Sequence, residues 1–448
     1  MKTALIILAA GKGTRMNSDL PKVLHPIAGA PMLHHAMRAG DILDPEHTVI
    51  VAGYGAEAVT TSVASIDPGA QVVLQEEQLG TAHAAAQARD ALAGFDGRAI
   101  VLFGDTPFVR PETLQELTAS PADVTVLGFE AADPARYGRL VMNGTQLERI
   151  VEFKDATPSE REITLCNSGV LAAPAPLLFD LIDAVGNNNA QNEYYLTELP
   201  RLARARGLSV AVTRCNEAET LGINSRAELA AADAQFQTRA RAQLMDDGVT
   251  LVAPDTVYLS LDTIIGRDAL IEPNVVFGPG VTVESGATVR AFSHLEGCHV
   301  SRGATVGPYA RLRPGTELAE DVRIGNFVEI KQATIAAGAK VNHLSYVGDA
   351  TVGPASNIGA GTITCNYDGV MKHRTEIGAR AFIGSNTMLV APLTVGDDAM
   401  TGSGSVITSD VEDGALAIAR APQVEKPGMA RKLFEMLKAK KARQSRGS

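Results

Sequence analysis

Glycines and cations follow the first aliphatic run of the chain. Residues 8–16 contain two glycines together with Lys12 and Arg15, and Lys22 comes shortly after them. Glycines after a strand let backbone N–H groups approach a phosphate, and the cations add attraction for it. The segment lacks the Gly-Lys-Ser/Thr ending of a Walker A loop and the third glycine of a dinucleotide-binding fingerprint. It fits a triphosphate-binding loop or, taken alone, a tight turn.

A carboxylate follows a second aliphatic run. The run at residues 100–103 leads directly into Gly104 and Asp105. At the C-terminal edge of a parallel sheet, an aspartate that faces a phosphate loop is well placed to hold Mg2+. A single aspartate in a loop is more often solvated or caps a helix, so the metal assignment depends on the neighbouring motifs.

The second half of the chain contains polar residues that fit acyl transfer. They are Arg313, Lys331, His343, Tyr346, Asn357 and the segment 365–368, which reads Cys-Asn-Tyr-Asp. One reaction that such a set could serve is acetylation of an amine by a thioester, which needs a base, cations for an anionic substrate and a neighbouring coenzyme site. His343 has the neutral-pH chemistry of such a base. A lone histidine is more often structural, so a catalytic role for His343 depends on the sequence that flanks it.

The elements that must position the first motifs alternate between strand and helix. Aliphatic runs predict strands at Thr3–Ala9, 48–52, Gln71–Leu74, 99–103 and 124–128. Ala-rich stretches such as 81–93 lie between them and carry good helix formers. Strands that are apolar on both sides indicate a Rossmann-like α/β domain with a mostly parallel sheet. Ligands bind beyond the carboxyl ends of such strands, where both motifs lie.

Beyond residue 260 an aliphatic residue or Phe recurs at every sixth position. The series are Ile265, Ile271, Phe277, Val283, Val289 and Leu295; Val306, Leu312, Leu318, Ile324 and Ile330; and Ile377, Ile383, Leu389 and Val395. A parallel β-helix has this period, because each flat side contributes one inward side chain. Hexapeptide coils are left-handed, an exception to the usual crossover rule. The segment 361–376 breaks the period and predicts an extruded loop, where function concentrates.

Two further segments lie outside these domains. Residues 225–245 predict one connecting helix, with Ser225 and Glu228 at capping-box spacing. The end of the chain is rich in Lys and Arg, which favours a partly disordered, solvated tail over a partner-binding one. We therefore expect four segments. They are a first domain at 1–224, a linker helix at 225–246, the coil at 247–425 and a basic tail at 426–448.

Bulk properties limit the class of protein. At 448 residues the chain exceeds the usual size of a single hydrophobic core, so two domains are expected. A net charge of −11 argues against a general nucleic-acid or anionic-membrane binder. The four cysteines form no C-x-x-C pair, which favours reduced thiols in a cytosol. The first apolar run indicates a buried strand rather than a signal peptide, and no run has the length of a membrane span.

Together the motifs resemble those of sugar-1-phosphate nucleotidylyltransferases. The motifs are residues 8–16, 21–24, 75–83 and 103–107. Further stretches at 137–139, 151–155, 167–169 and 187–195 narrow the resemblance to the bifunctional bacterial N-acetylglucosamine-1-phosphate uridyltransferase/glucosamine-1-phosphate acetyltransferases. Residues 342–350 and 357–369 resemble the acetyltransferase signature of the same family. The resemblance covers residues 4 to about 425.

In the first domain this resemblance implies attack by a sugar phosphate on the α-phosphorus of UTP. Such chemistry needs positioning and charge neutralisation more than a covalent intermediate. Arg15 and Lys22 would stabilise the phosphates, and Asp105 with Asn224 would hold Mg2+. The residues implied to contact UDP-N-acetylglucosamine are Leu8, Ala9, Ala10, Gly11, Lys22, Gln75, Gly80, Thr81, Phe103, Gly104, Asp105, Gly138, Glu152, Asn167 and Asn224.

The resemblance also implies which part of the ligand each residue would contact. Uracil would be read by Gln75, Gly80 and Thr81, and the sugar would be held by Gly138, Glu152 and Asn167. Two residues depart from the family pattern. Phe103 stands where the family often has Tyr, and Asn192 stands where Gly is usual.

In the coil the resemblance implies that His343 is the general base. Glucosamine 1-phosphate would be bound by Arg313, Lys331, Tyr346 and Asn357. Acetyl-CoA would be bound by Ala360, Asn366, Tyr367, Ser385, Ser403 and Arg420. Ser403 stands where Ala is common and Asn342 where Gly is common. The resemblance further implies a homotrimer, whose neighbouring chains complete the acetyl-CoA site. From the cysteines, the net charge and the short apolar runs we expect this protein to be cytoplasmic, with no nucleic-acid binding and no membrane insertion.

Two other interpretations predict different chemistry. A nucleotidylyltransferase whose β-helix only oligomerises or regulates would need no base at His343 and no coenzyme-binding loop at 366–367. A scaffold that merely binds sugar nucleotides would need neither Asp105 nor Asn224, and its ligands would yield no product that depends on Mg2+.

Overall fold

A computed structural model describes residues 2–135, 137–189 and 191–444. Ala190, which belongs to the stretch 187–195, and the last four residues of the basic tail lie outside the described residues. The chain divides into two compact units. Met1–Asp246 with Tyr258–Thr263 form the first, and Asp247–Val257 with Ile264–Ser448 form the second. The linker helix expected at 225–246 is thus part of the first unit.

The first unit is an α/β domain with a nine-stranded sheet and a small separate hairpin. Its strands are β1 (Thr3–Ala9), β2 (Pro26–Ile27), β3 (Ala30–Pro31), β4 (His47–Ala52), β5 (Gln71–Leu74), β6 (Arg98–Phe103), β7 (Val124–Glu130), β8 (Arg139–Asn143), β9 (Gln146–Val151), β10 (Leu165–Pro174) and β11 (Val210–Cys215). Its helices are α1 (Met32–Gly40), α2 (Ala56–Ala64), α3 (Thr81–Ala86), α4 (Pro111–Ala119), α5 (Pro158–Arg161), α6 (Ala175–Ile182), α7 (Leu199–Ala205) and α8 (Arg226–Asp246).

The order of strands in this sheet places the first two motifs side by side. The order is β11-β7-β10-β6-β1-β4-β5, and the β8–β9 hairpin joins through β10. Strand β10 runs antiparallel to β6 and β7, and the other pairs along this path are parallel. Leu8 of β1 is in register with Phe103 of β6, so both strands end at one edge. The expected Rossmann-like, mostly parallel sheet is confirmed.

Apolar side chains fill both faces of the sheet, and β1 at its centre is buried along its whole length. One core contains alternate residues of β1 such as Ile6, and the other contains the intervening residues such as Ile7. The helix expected at 81–93 is shorter than predicted. After Ala86 the backbone hydrogen bonds switch to the i→i−3 pattern and lead into a 3-10 turn at Asp90–Leu92.

Helix α8 starts with the capping box that the sequence predicts. The Ser225 hydroxyl accepts a hydrogen bond from the Glu228 amide at 3.2 Å, and the Glu228 carboxylate accepts one from the Ser225 amide at 3.0 Å. Phe236 and Ala232 of this helix pack against a cluster that includes Met32. The helix is thereby fixed to the first unit.

The second unit is a coil of short parallel strands. They are β12 (Thr250–Leu251), β13 (Ile264–Ile265), β14 (Leu270–Ile271), β15 (Val276–Phe277), β16 (Val281–Val283), β17 (Thr288–Val289), β18 (His294–Leu295), β19 (Cys298–Val300), β20 (Thr305–Val306), β21 (Arg311–Leu312), β22 (Thr316–Leu318), β23 (Arg323–Asn326), β24 (Glu329–Ile335), β25 (Lys340–His343), β26 (Tyr346–Val352), β27 (Asn357–Ile358), β28 (Ile363–Cys365), β29 (Thr375–Ile377), β30 (Phe382–Ile383), β31 (Met388–Val390), β32 (Leu393–Val395), β33 (Met400–Thr401), β34 (Val406–Ile407) and β35 (Leu416–Ala417).

The hexapeptide series form the inside of this coil. All residues of the three predicted series are buried, and the series pair in register between turns, as Ile271 does with Val289 and Leu312 with Ile330. The left-handed parallel β-helix is confirmed. The extruded loop is shorter than the predicted 361–376, because β28 and β29 continue the ladders on either side of residues 366–374.

The basic tail forms a helix, α9 (Met429–Gln444), whose described residues are all exposed. The expectation of a partly disordered tail is wrong for this stretch, since its Ala, Leu, Met, Lys and Arg residues are good helix formers. Over the described ranges, no helix combines the length and the apolar character needed to cross a membrane.

Candidate functional site

The loop after β1 approaches Lys22 through a glycine. Gly13 has φ +60°, and a Cβ built there would lie 2.5 Å from Cβ of Lys22. Only a residue without a side chain fits this position, where the backbone is also left-handed. A 3-10 turn, Thr14–Met16, follows and leaves Arg15 exposed beside the loop. The exposed cation is therefore available to a ligand.

Lys22, Asp105 and Asn224 meet at the edge of the sheet. The Lys22 ammonium donates hydrogen bonds to the Asp105 carboxylate and, at 3.0 Å, to the Asn224 side-chain oxygen. The Lys22 and Asp105 side chains are 11% and 21% exposed, so the ion pair is partly shielded from solvent. A cation thus already sits between the two oxygens that the sequence assigns to a metal.

A cavity of 270 Å³ lies beside this ion pair. The predicted residues that line it are Leu8, Ala9, Ala10, Gly11, Lys22, Gln75, Gly80, Thr81, Phe103 and Asp105. Sequence reasoning missed Gln78, whose amide donates to the Ala10 carbonyl at 2.8 Å and so holds the loop against the cavity. Gly104 contributes through its backbone, donating to the Leu8 carbonyl at 2.9 Å and joining the two strand ends.

Gln75 is fixed in the wall of this cavity. It is 4% exposed, and its amide nitrogen contacts the Gly80 carbonyl at 3.2 Å and Nδ1 of His83 at 2.9 Å. An amide NH2 only donates, so Nδ1 of His83 acts as acceptor. Both contacts use the side-chain nitrogen of Gln75, and neither uses its side-chain oxygen.

A second cavity of 340 Å³ adjoins the first, since Thr81 and Phe103 line both. The predicted sugar residues Gly138, Glu152 and Asn167 all line it. The sequence reasoning did not single out Tyr195 and Thr197, which also line the cavity. The available signal was the pair of consecutive tyrosines that ends the stretch 187–195, which includes Tyr195 and is followed closely by Thr197.

Glu152 contributes a carboxyl group to this second cavity. Burial raises the pKa of its carboxyl group, and a hydrogen bond from Thr197 opposes the increase. An acceptor held in a mostly buried position suits sugar hydroxyl and amide groups. Phe103 packs across Gly169, where a Cβ would lie 2.7 Å from the ring, so the phenyl group serves as an apolar wall.

The unusual Asn192 has a backbone explanation. Its φ is +56°, in the left-handed region where Gly is favoured and Asn is tolerated better than most residues. Asn therefore keeps the conformation that Gly would supply. The neighbouring Asn189 holds the same turn, since its side-chain oxygen accepts from the Gln191 amide at 3.1 Å.

In the second unit, His343 ends β25 and lies beside Asn326 of the previous turn. The two residues are in register, and Nδ1 of His343 lies 2.9 Å from the Asn326 side-chain oxygen. An amide oxygen accepts, so Nδ1 carries the proton and the Nε2 lone pair is available. Sequence reasoning missed Asn326, which is 17 positions away and meets His343 only because one turn of the coil has that length.

Cations gather near the extruded loop. Arg313 pairs with Glu329 at 2.9 Å, and the neighbouring Lys372 lowers the pKa of Lys331. Lys372 was also missed by sequence reasoning, although it lies within the predicted loop. Tyr346 follows in the next turn, and its hydroxyl lies 3.4 Å from the amide nitrogen of Asn366. The coil thus unites residues assigned to a sugar phosphate with one assigned to the coenzyme.

The remaining assigned residues follow the turns of the coil towards its end. The Ala360 carbonyl accepts from the Asn386 amide at 2.7 Å, next to Ser385. The Ser385 amide donates to the Ser403 hydroxyl at 3.2 Å, and Arg420 donates to the Ser403 carbonyl at 2.7 Å. Asn357 lies in β27, in register with Lys340. Tyr367 is 60% exposed, with its hydroxyl bonded to the Gly369 carbonyl at 2.6 Å.

Comparison with known proteins agrees with this division. Residues 5–163 match the MobA-like NTP transferase domain, and residues 262–297 match the bacterial transferase hexapeptide repeats. The chain is 72% identical over 449 residues to the bifunctional protein GlmU of Ruegeria sp. (strain TM1040), covering 100% of both chains. It is 65% identical over 438 residues to that of Paracoccus denitrificans (strain Pd 1222), covering 98% of both. The chain therefore belongs to the family of bifunctional GlmU proteins, the uridyltransferase/acetyltransferases that make UDP-N-acetylglucosamine.

Proposed function

We propose that the residues described above divide the two reactions of this bifunctional enzyme between its two units. The second unit would hold the groups that transfer acetyl from acetyl-CoA to glucosamine 1-phosphate. The first would hold those that transfer uridylyl from UTP to N-acetylglucosamine 1-phosphate. The observation that supports this most is the pair of adjoining cavities beside Lys22, Asp105 and Asn224.

Uridylyl transfer would take place where these two cavities meet. UTP would occupy the 270 Å³ cavity, with Gln75, Gly80 and Thr81 at its uracil. The sugar would occupy the 340 Å³ cavity against Gly138, Glu152 and Asn167. The sugar phosphate oxygen then attacks the α-phosphorus while pyrophosphate leaves, and Arg15 and Lys22 stabilise the charge that develops on the phosphates.

Asp105 and Asn224 would also bind Mg2+. One carboxylate and one amide oxygen are hard ligands of the kind Mg2+ takes when phosphates and water complete its octahedron. The Lys22 ammonium between these oxygens indicates that the position attracts a cation. When bound, Mg2+ neutralises phosphate charge. Binding would require Lys22 to turn from Asp105 towards the phosphates.

Acetyl transfer would rest on His343 as base. Its Nε2 would accept the proton of the glucosamine ammonium, so that the free amine attacks the thioester carbonyl and coenzyme A leaves as a thiol. Arg313, Lys331, Tyr346 and Asn357 would bind the sugar phosphate. Acetyl-CoA would lie along Ala360, Asn366, Tyr367, Ser385, Ser403 and Arg420.

We further propose that the enzyme is a cytoplasmic homotrimer. The coil carries an exposed ladder of stacked rings, Phe292, Tyr309 and Phe327, with centroids 5.0 and 5.3 Å apart. Each is about half exposed and each has positive φ, which is costly for a bulky residue. Burial against neighbouring coils would offset that cost. The cytoplasm is proposed because UTP and acetyl-CoA are available there.

The assay for these roles uses glucosamine 1-phosphate, acetyl-CoA, UTP and Mg2+, with products read by mass. Asp105→Asn changes little in shape but removes the charged ligand, so pyrophosphate release should fall steeply while thiol release persists. Phe103→Tyr, which alters the wall of the same cavities without touching the ion pair, is the matched control. Pyrophosphate release that survives in Asp105→Asn would exclude the metal role.

A further inference from the structure

Three segments that carry the proposed uridylyl-transfer groups converge on one side chain outside the cavities. Arg226, the first residue of α8, donates from Nε to the Met16 carbonyl at 3.3 Å. Its Nη1 donates to Nδ1 of His25 at 3.1 Å. The two contacts span 210 and 201 positions of sequence, so they connect segments that local structure alone would not hold together.

Each contact holds a turn that carries one of the two cations proposed to stabilise the phosphates, Arg15 or Lys22. Met16 ends the 3-10 turn that presents Arg15; its amide donates to the Gly13 carbonyl at 2.9 Å, and it is only 1% exposed. His25 follows the 3-10 turn Lys22–Leu24, and its amide donates to the Lys22 carbonyl at 3.2 Å. His25 is 2% exposed. The first contact is therefore to the backbone next to Arg15, and the second is to the buried side chain of His25, whose backbone is hydrogen-bonded to Lys22.

The third segment is the start of α8 itself. The Glu228 carboxylate accepts hydrogen bonds from the backbone N–H of Asn224 at 2.6 Å and from that of Ser225 at 3.0 Å. This capping box fixes Asn224, whose side-chain oxygen contacts the Lys22 ammonium at 3.0 Å. Arg226 lies two residues further on the same turn. The position of Asn224 and the position of the Arg226 guanidinium are thus coupled.

We propose that Arg226 is a positioning residue for uridylyl transfer. Its forked guanidinium holds the Arg15 turn and the Lys22 turn at a fixed distance from Asn224, and this inference rests on the roles proposed above for those three residues. A guanidinium is suited to the task because its donors diverge from one rigid plane, which a lysine ammonium cannot reproduce. Burial and the Arg226 charge lower the pKa of His25, so its neutral imidazole keeps an acceptor at Nδ1.

The test compares Arg226→Gln and Arg226→Lys with wild type in both reactions. In Arg226→Gln we expect kcat for pyrophosphate release to fall by about 10- to 100-fold, the range for lost outer-shell support. The KM for N-acetylglucosamine 1-phosphate should stay within about twofold, because Arg226 does not line the sugar cavity. The kcat of Arg226→Lys should lie between those of Arg226→Gln and wild type. Thiol release by the second unit should be unchanged in both variants.

Two further experiments distinguish a positioning role of Arg226 from a role in stabilising the fold. Guanidinium ion added to Arg226→Ala should restore part of kcat, which it would not do if the side chain only stabilised the fold. Arg201→Gln is the matched control, since this arginine lies in α7 and pairs with Glu198 at 2.5 Å. Normal kcat in Arg226→Gln, or loss of activity that neither lysine nor guanidinium relieves, would overturn the proposal. Arg15→Ala is assayed in parallel, because its full activity would instead refute the assigned phosphate role.

Discussion

At the scale of single residues, the coil positions its proposed base through a neighbour in the previous turn. Asn326 accepts from Nδ1 of His343 at 2.9 Å, which orients the ring and leaves Nε2 free. We expect Asn326→Ala to lower kcat for thiol release by about tenfold, because the imidazole loses its fixed orientation and tautomer. Asn326→Asp retains an acceptor and should retain most of the activity. Equal activity in Asn326→Ala and wild type would show that the contact is incidental.

Glu152 gives a prediction about pH. Its pKa is raised by burial, so the folded domain binds this proton more tightly than the unfolded chain. The ionised carboxylate therefore costs stability above the raised pKa, and the cost disappears as pH falls through it. Glu152→Gln removes the charge and should raise the Tm of the first unit by roughly 2 °C at pH 8.

The gain in Tm for Glu152→Gln should shrink as the pH is lowered, whereas kcat/KM for N-acetylglucosamine 1-phosphate should fall about tenfold at neutral pH. Calorimetry at several pH values, with pyrophosphate release on the same samples, measures both. Glu148→Gln is the control because this carboxylate lies on the same hairpin and bonds the exposed Asn143 at 2.8 Å. A Tm gain that is independent of pH would contradict the burial argument.

At the scale of elements, the period of six in the sequence predicted the coil because each inward position is filled by one residue. Ile265 to Leu295 and their equivalents are buried as expected. What the period could not predict is which residues meet between turns. The turns differ in length, with 17 residues from Val289 to Val306 and 18 from Val306 to Ile324, so a fixed repeat does not predict a contact such as that of Asn326 with His343. Gln78 at the phosphate loop was missed for the same reason, since its contact joins distant segments.

Close approach between turns makes one glycine critical. A Cβ at Gly325 would lie 2.0 Å from the Asn342 carbonyl, next to both Asn326 and His343. Gly325→Ala should therefore separate two turns, destabilise the coil by about 1–3 kcal/mol and lower thiol release more than tenfold. Pyrophosphate release should persist. Gly278→Ala, where the nearest atom is Cβ of Glu296 at 3.2 Å, should be much milder in thermal unfolding.

At the scale of the whole molecule, the aromatic ladder tests the proposed trimer. Tyr309 stacks between Phe292 and Phe327 and is 48% exposed. Tyr309→Glu would place a charge in the proposed contact, and burying an unpaired charge is expensive. We expect light scattering to show monomers and thiol release to fall at least about tenfold, since each coenzyme site would lose its neighbour.

A matched surface change should leave the assembly intact. Tyr258→Glu alters an aromatic residue of the first unit that is 52% exposed, and it should remain trimeric with both activities. A Tyr309→Glu protein that stays trimeric would remove the ladder from the interface. A fully active monomer would instead refute the requirement for neighbouring chains.

The two activities should separate by single substitutions, because the residues proposed for each lie in different compact units with their own cores. His343→Ala removes the base without altering the nucleotide cavity, so thiol release should drop by at least roughly 100-fold while pyrophosphate release stays near wild type. Arg15→Ala should give the opposite pattern, since it removes a cation that neutralises developing charge at the triphosphate. Both variants are assayed for both reactions on the same preparation. Full thiol release by His343→Ala would require another base, and a parallel loss of both activities in either variant would mean that the two units do not act independently.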